Sequence, residues 1–261
     1  MDPPTTVSTM RLADIWRYPV KSLQGGRLDE ALLDHDGLRG DRGWGIRDET
    51  TGRVLTGRRE PRLLLAAASL GDDGEPRITM PNGDRCQGAG PDTDGALSDW
   101  LGRPVTLVGA AGAPGANAEY FADPTDDASP AIEWTMPPGR FVDAMPLLVL
   151  TTASLRVAAR LYPDGDWNVR RFRPNLLLDI DANGWVEDGW CGRTLRIGAV
   201  QLVPRQPCIR CTMVTRPQPG LDRDLDIYRT LGRNHDGTLG VWTAVHAPGP
   251  VHSGNLVEFA A

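Results

Sequence analysis

Apolar and polar residues alternate over Arg11-Leu12-Ala13-Asp14-Ile15-Trp16-Arg17-Tyr18. Leu12, Trp16 and Tyr18 fall on one face at period two, which predicts a half-buried strand whose face Asp14 interrupts. The strand runs into Pro19-Val20-Lys21-Ser22, so the lysine lies just past a strand end. Shorter strands are expected near residues 27–34, 43–48 and 52–56, and the apolar run from Leu63 to Leu70 reads as a buried strand. Pro81-Asn82-Gly83-Asp84 has hairpin-turn chemistry, and Asp94 to Leu101 reads as a short helix with an acidic start. Residues 109–130 are small, acidic and rich in Gly and Pro. They are expected to form a loop or linker and the boundary between two domains, 8–125 and 126–261.

Beyond that segment, Leu147 to Leu150 predicts a buried strand that meets Thr151-Thr152, either of which suits an N-cap for a helix over Ala153 to Leu161. Further strands are expected over 175–180, 194–197, 200–204, 240–246 and 256–259, with a second helix from Leu221 to Leu231. No internal repeat is visible. The pattern is α+β and strand-rich, and 30 glycines and 22 prolines suit short strands and turns better than long helices.

Composition narrows the function. With 40% hydrophobic and 24% charged residues in 261, the chain is a folded protein rather than a disordered one. A net charge of −6 argues against a general nucleic-acid binder, which needs a basic footprint. The N-terminal MDPPTTVSTMRLADIW has no basic stretch followed by an apolar run, and nothing approaches about 18 uninterrupted apolar residues. A cytoplasmic protein that makes no use of a membrane is expected. Four cysteines are too few for a disulfide scaffold of this length. Of the 28 basic residues one alone, Lys21, is lysine. A lysine kept in so arginine-biased a chain suits a place where a compact ammonium is required; otherwise it is a leftover surface cation.

The chemistry concentrates in a few turns. Pro207-Cys208-Ile209-Arg210-Cys211 holds the one CxxC. Four readings compete: a zinc site with Cys191 and a histidine, a redox dithiol, a lone thiolate on a soft metal, or two buried thiols packed as small hydrophobes. Arg205 and Arg210 lie close enough in sequence to favour a thiolate. Arg170-Arg171-Phe172-Arg173-Pro174-Asn175 places three cations before an apolar strand, and Arg39-Gly40-Asp41-Arg42-Gly43-Trp44 forms a second basic turn. Each is either a solvated edge or part of an anion site. In an acidic chain, both turns with Lys21 suggest one small anionic cofactor rather than a polyanion. Asp72-Asp73 and Asp126-Asp127 read as solvated loops, and no P-loop, GxGxxG, GxSxG or HExxH is present.

Tyr18-Pro19-Val20-Lys21-Ser22, Gly40-Asp41-Arg42, Phe172-Arg173-Pro174-Asn175 and Pro207-Cys208-Ile209-Arg210-Cys211, in this order and spacing, resemble the MOSC proteins (molybdenum cofactor sulfurase C-terminal domain), in particular the branch of the mitochondrial amidoxime-reducing component and its bacterial relatives. The resemblance implies a β-barrel-like N-terminal MOSC domain followed by a β-barrel MOSC domain with short helices. It implies a molybdenum cofactor (Mo-molybdopterin), with Cys211 as metal ligand and catalytic residue. Lys21, Ser22, Arg42, Arg173, Asn175 and Arg210 would hold the pterin and its phosphate with Cys211. Lys21 and Arg173, from the two expected domains, would face one cofactor edge outside the core. Two departures touch the pocket: Ala144-Met145 stands where relatives carry a hydroxyl pair, and Trp242 replaces a tyrosine. The implied activity is reduction of N-hydroxylated compounds such as amidoximes or hydroxylamines. No plant-type C-x4-C-x2-C run is present, so a separate electron donor, a ferredoxin-like protein or a reductase, is expected. The alternative is a sulfur carrier or a cofactor-binding or delivery protein using Cys211.

Overall fold

The first strand, Met10–Arg17, carries a bulge in the computed structural model, which describes residues 9–121, 123 and 128–260. Its register against Leu176–Ile180 slips between Leu12 and Asp14, so Leu12 and Ile15 both enter the core although three residues apart. Asp14 interrupts the alternation because the extra residue re-phases the strand.

Seven strands close into a barrel in the order Leu176–Ile180, Leu147–Thr151, Thr238–Ala247, Val200–Ile209, Leu195–Ile197, Leu256–Phe259 and Met10–Arg17, the last pairing back to the first. All the pairings are antiparallel except Leu147–Thr151 with Leu176–Ile180. A parallel pair needs a crossover, here supplied by helix Thr152–Leu161 and the short helix Val169–Phe172. Thr151 caps the first of these, accepting from the Ser154 N–H at 3.1 Å. All five residues of Leu147–Thr151 are buried because both faces are covered. Val149 joins Leu12, Leu176 and Val241 in one core, while Leu150 packs with Leu177, Phe172 and the helices. Gly240 lets the neighbouring strand approach, since a Cβ there would lie 2.7 Å from the Val149 carbonyl oxygen.

Residues 18–109 build a second core around Leu23, Ile46, Leu63, Leu97 and Leu107. It lies between the pair Trp44–Asp48 with Val105–Gly109, the sheet Ala67–Leu70, Pro76–Thr79 and Arg85–Gln87, and helix Pro91–Leu101. Leu63 to Leu70 is not one strand: Glu60-Pro61 opens a 3-10 turn, Pro61–Leu65, before strand Ala67–Leu70. Residues 52–56 hold bridges at Val54 rather than a strand. The expected linker contains strand Asn117–Phe121, paired with Ala131–Thr135. Asp72-Asp73 lies exposed in a turn, as expected; Asp126-Asp127 and the 125/126 boundary lie outside the described residues. The sheets cross that boundary, because Met10–Arg17 belongs to the barrel and Glu30–Asp34 pairs with Gly249–His252.

Candidate functional site

Strand Val200–Ile209 carries Cys208 to the end of the barrel, and Cys211 follows as the cap of a 3-10 turn, Thr212–Thr215. The alternation of the strand buries Cys208 and exposes Ile209, at 64%. Cys211 is half-buried and lines an open cleft. Lys21, Ser22, Arg42, Arg173, Asn175 and Arg210 line the same cleft. The residues singled out from the sequence are thus gathered in one place.

Each cysteine of the CxxC has its own guanidinium. Arg210 donates from Nη1 to Cys208 Sγ at 3.0 Å and from Nη2 to the Phe172 carbonyl at 2.7 Å. Arg58 donates from Nε to Cys211 Sγ at 3.0 Å. Arg205 is exposed on the strand, so neither arginine named from sequence proximity attends Cys211; the one that does is 153 residues away. Burial pushes the Cys208 thiol up, against the pull of Arg210. All four cysteines are free, and among the described residues no three His, Cys, Asp or Glu gather to hold a metal. A zinc site built on the CxxC needs four ligands and finds two.

Two of the cleft cations stack on the buried Tyr18 ring. The Arg173 guanidinium sits 4.3 Å from its ring centroid and that of Arg42 at 5.0 Å, both within cation–π range. Arg42 is paired with Asp41. Arg173 has no carboxylate partner among the described residues; its Nη1 donates to the Leu23 carbonyl at 2.8 Å. Burial first, and Arg42 second, lower its pKa to about 10. The Tyr18 hydroxyl and Arg210 Nε are buried with no hydrogen-bond partner among the described residues. Such a cluster is electrostatically incomplete and favours an anion with several acceptor atoms.

Lys21 and Arg173 are buried, at 6% and 4% exposure, and not outside the core as expected. Lys21 Nζ donates to Asp143 Oδ1 at 2.5 Å and to the Phe141 carbonyl at 2.9 Å. Asp143 also accepts from the Tyr120 hydroxyl at 2.6 Å and from Arg58 Nη2 at 3.2 Å. Burial works against the Asp143 charge, but Lys21 and Arg58 outweigh it and hold the carboxyl well below its usual range. Burial, and next Asp143, push Tyr120 up, so its hydroxyl keeps its proton. The sequence reading missed Arg58, Tyr120 and Asp143. The available signal was Lys21 itself, since a buried ammonium requires a carboxylate.

The remaining candidates divide. Ser22 Oγ accepts from the Gly57 N–H at 2.8 Å. Asn175 is occupied internally: its Oδ1 accepts from the Leu148 N–H at 3.2 Å and its Nδ2 donates to the Trp16 carbonyl at 3.3 Å. Of the three arginines before the strand, Arg173 alone lines the cleft. Arg171 is buried against the carbonyls of Asp166, Val214, Arg216 and Asp222, and Arg170 reaches that of Pro219. Ala144, Met145 and Trp242 form an apolar part of the lining.

The MOSC N-terminal beta barrel domain matches residues 9–109, and the MOSC domain matches 138–258. The chain belongs to the MOSC family. It is 29% identical over 251 residues to mitochondrial amidoxime-reducing component 1 of Mus musculus, covering 84% of this chain and 70% of the relative. It is 27% identical over 282 residues to the molybdenum cofactor sulfurase of Danio rerio, covering 91% of this chain and 32% of the relative, so it spans about a third of that protein. The two MOSC segments meet at the cleft. Lys21, Ser22, Arg42 and Arg58 come from the first, Asp143, Arg173, Arg210 and Cys211 from the second, and Tyr120 from between them. Among the described residues no helix of this MOSC protein is long and apolar enough to cross a membrane.

Proposed function

We propose that this MOSC protein is a molybdenum-cofactor-dependent oxidoreductase that reduces N-hydroxylated compounds. The observation that carries the reading is Arg173. It is a buried guanidinium with no carboxylate of its own among the described residues, in the same cleft as a half-buried thiol. A phosphate-bearing group with a soft metal completes both at once: the cation takes the anion, and the thiolate takes the metal. Arg173, Arg42 and Arg210 would bind the anionic end, with Lys21 and Ser22 at the cleft wall and Asn175 holding the wall in shape. Cys211 Sγ would be the metal ligand. When bound, the cofactor supplies two-electron reduction of the N–O bond. The balance is one N-hydroxylated substrate, two electrons and two protons giving the N–H compound and one water.

The chain's part is binding, orientation and electrostatics. Asp143, kept ionised by Lys21 and Arg58, fixes the Tyr120 hydroxyl with its proton on Oη. Met145 and Trp242 give the lining an apolar side that favours an uncharged substrate body over a second polyanion. Electrons come from a separate donor protein, and the cytoplasm is the compartment. The mitochondrial amidoxime-reducing component named above supports the substrate class, and the molybdenum cofactor sulfurase supports the cofactor.

Metal analysis of the chain expressed with molybdate tests the reading. About one molybdenum per chain, lost in Cys211→Ser, is the expected result. Labile sulfur on Cys211 without molybdenum would point instead to a sulfur carrier, and stoichiometric zinc would overturn both.

A further inference from the structure

We propose that Arg58 is a positioning residue for the Cys211 sulfur, holding it towards the cleft from the opposite half of the molecule. The proposal rests on the reading of Cys211 as the reactive thiol.

The arginine has three independent attachments. Its Nε donates to Cys211 Sγ at 3.0 Å, its Nη2 to Asp143 Oδ2 at 3.2 Å, and its guanidinium carbon lies 4.2 Å from the Tyr120 ring centroid. An arginine that served Asp143 alone would present two N–H groups to one carboxylate. That geometry is closed here, because Asp143 Oδ1 already accepts from Lys21 and Tyr120. One oxygen is left for Arg58, and its Nε is turned to the sulfur. The contact is therefore set by the network, and a continuous path runs from Lys21 through Asp143 and Arg58 to Cys211.

The turn that carries Arg58 is held as firmly. The Glu60 N–H donates to the Thr56 carbonyl at 2.8 Å, the Thr56 hydroxyl donates to the Glu119 carbonyl at 3.0 Å, and the Gly57 N–H donates to Ser22 Oγ. A Cβ on Gly57 would lie 3.2 Å from Met213 Sδ, two residues beyond Cys211. The turn and the thiol loop are thus packed together.

The test begins with the full chain produced without molybdate. Cys211 is alkylated at one fixed pH by neutral iodoacetamide and by anionic iodoacetate, each rate being read at Cys211 by mass spectrometry. The ratio of the two rates cancels the fraction of thiolate and reports the charge beside the sulfur. Arg58→Gln is expected to lower the iodoacetate-to-iodoacetamide ratio about fivefold, and Arg58→Lys to restore most of it. Lysine lacks the fork that spans carboxylate and sulfur, so in molybdate-grown protein both variants are expected to shift the Mo(V) resonance spectrum. A ratio within twofold of wild type in Arg58→Gln, or an unshifted spectrum in both variants, overturns the proposal. If the wild-type chain takes up no molybdenum, the cofactor reading fails by itself and the alkylation ratio alone decides for Arg58.

Discussion

Replacing Arg173 by methionine is expected to leave the cofactor-free chain as stable as wild type while removing its grip on anions. At neutral pH Arg173 is charged in the folded and the unfolded chain, but folding carries the charge into a buried site beside Arg42. The fall from the ordinary guanidinium value to about 10 corresponds to a cost of about 3 kcal/mol. The folded state holds the proton less tightly, so the cost is present at every pH below about 10 and fades as the pH rises from there towards the ordinary guanidinium value. Methionine removes that cost. It also removes a charge-assisted hydrogen bond to the Leu23 carbonyl, about 1.5–3 kcal/mol, and the Tyr18 contact, about 1 kcal/mol. The terms nearly cancel, and a net change within about 1 kcal/mol is expected, against the roughly 3–5 kcal/mol lost when a buried ion pair is broken. Urea denaturation of the cofactor-free chain, with and without inorganic phosphate, reads both halves. Phosphate should stabilise wild type and act about ten- to a hundredfold more weakly on Arg173→Met. A loss above about 3 kcal/mol in the variant, or an equal response to phosphate, would refute the view of Arg173 as a cation that lacks its anion.

Cys211→Ser is expected to lose molybdenum, since an alkoxide is a harder and far more basic ligand than a thiolate, whereas Cys208→Ser, at a buried thiol attended by Arg210, should keep most of it. Metal analysis of both variants decides, and equal loss would favour a dithiol. Lys21→Arg is expected to lower both molybdenum content and melting temperature, because a larger head in this buried site costs about 1–3 kcal/mol of overpacking. Full content and an unchanged melt would make the single lysine a compositional accident. Gly25→Ala is expected to cost about 3 kcal/mol, since its Cβ would meet the Arg17 carbonyl oxygen at 2.0 Å and Tyr18 Cδ1 at 2.6 Å. Cofactor retention should fall with it as the Tyr18 platform shifts, and a near wild-type melt would disprove the clash.

The barrel was legible where the apolar period survives. Leu147 to Leu150, the helix behind Thr151, and the strands near 176, 195 and 256 all stand where the pattern puts them. Errors arose where one short run serves two backbones. Leu63 and Leu64 are both fully buried, which suits a strand or a 3-10 turn equally, and the preceding Glu60-Pro61 settles it. Strand Asn117–Phe121 was hidden because small and acidic neighbours mask its pairing with the next strand, Ala131–Thr135. The cation set could be read because each member sits in a compact motif. Its partners could not, since Arg58 meets a sulfur 153 residues away and Lys21 an aspartate 122 away. No local periodicity records such contacts.

Backbone conformation explains why these cations stand where they do. Among the described residues four that are not glycine have positive φ, and three of them, Ser22, Arg42 and Arg173 at 67°, 50° and 53°, line the cleft. Each such conformation costs about 1 kcal/mol or more unless neighbours impose it. They do: the Arg42 N–H donates to the Tyr18 carbonyl at 2.7 Å, and the Arg42 carbonyl accepts from Phe141 at 2.8 Å. Arg173 ends a four-residue helix, with its N–H on the Val169 carbonyl. Glycine would suit all three backbones better. A chain with 30 glycines nevertheless places side chains there, two of them guanidiniums over one tyrosine ring. The left-handed turns place both guanidiniums over the Tyr18 ring. On the proposed function, the strain falls at the positions where an anion would bind and recover its cost, and an unstrained glycine at any of the three would give up that contact.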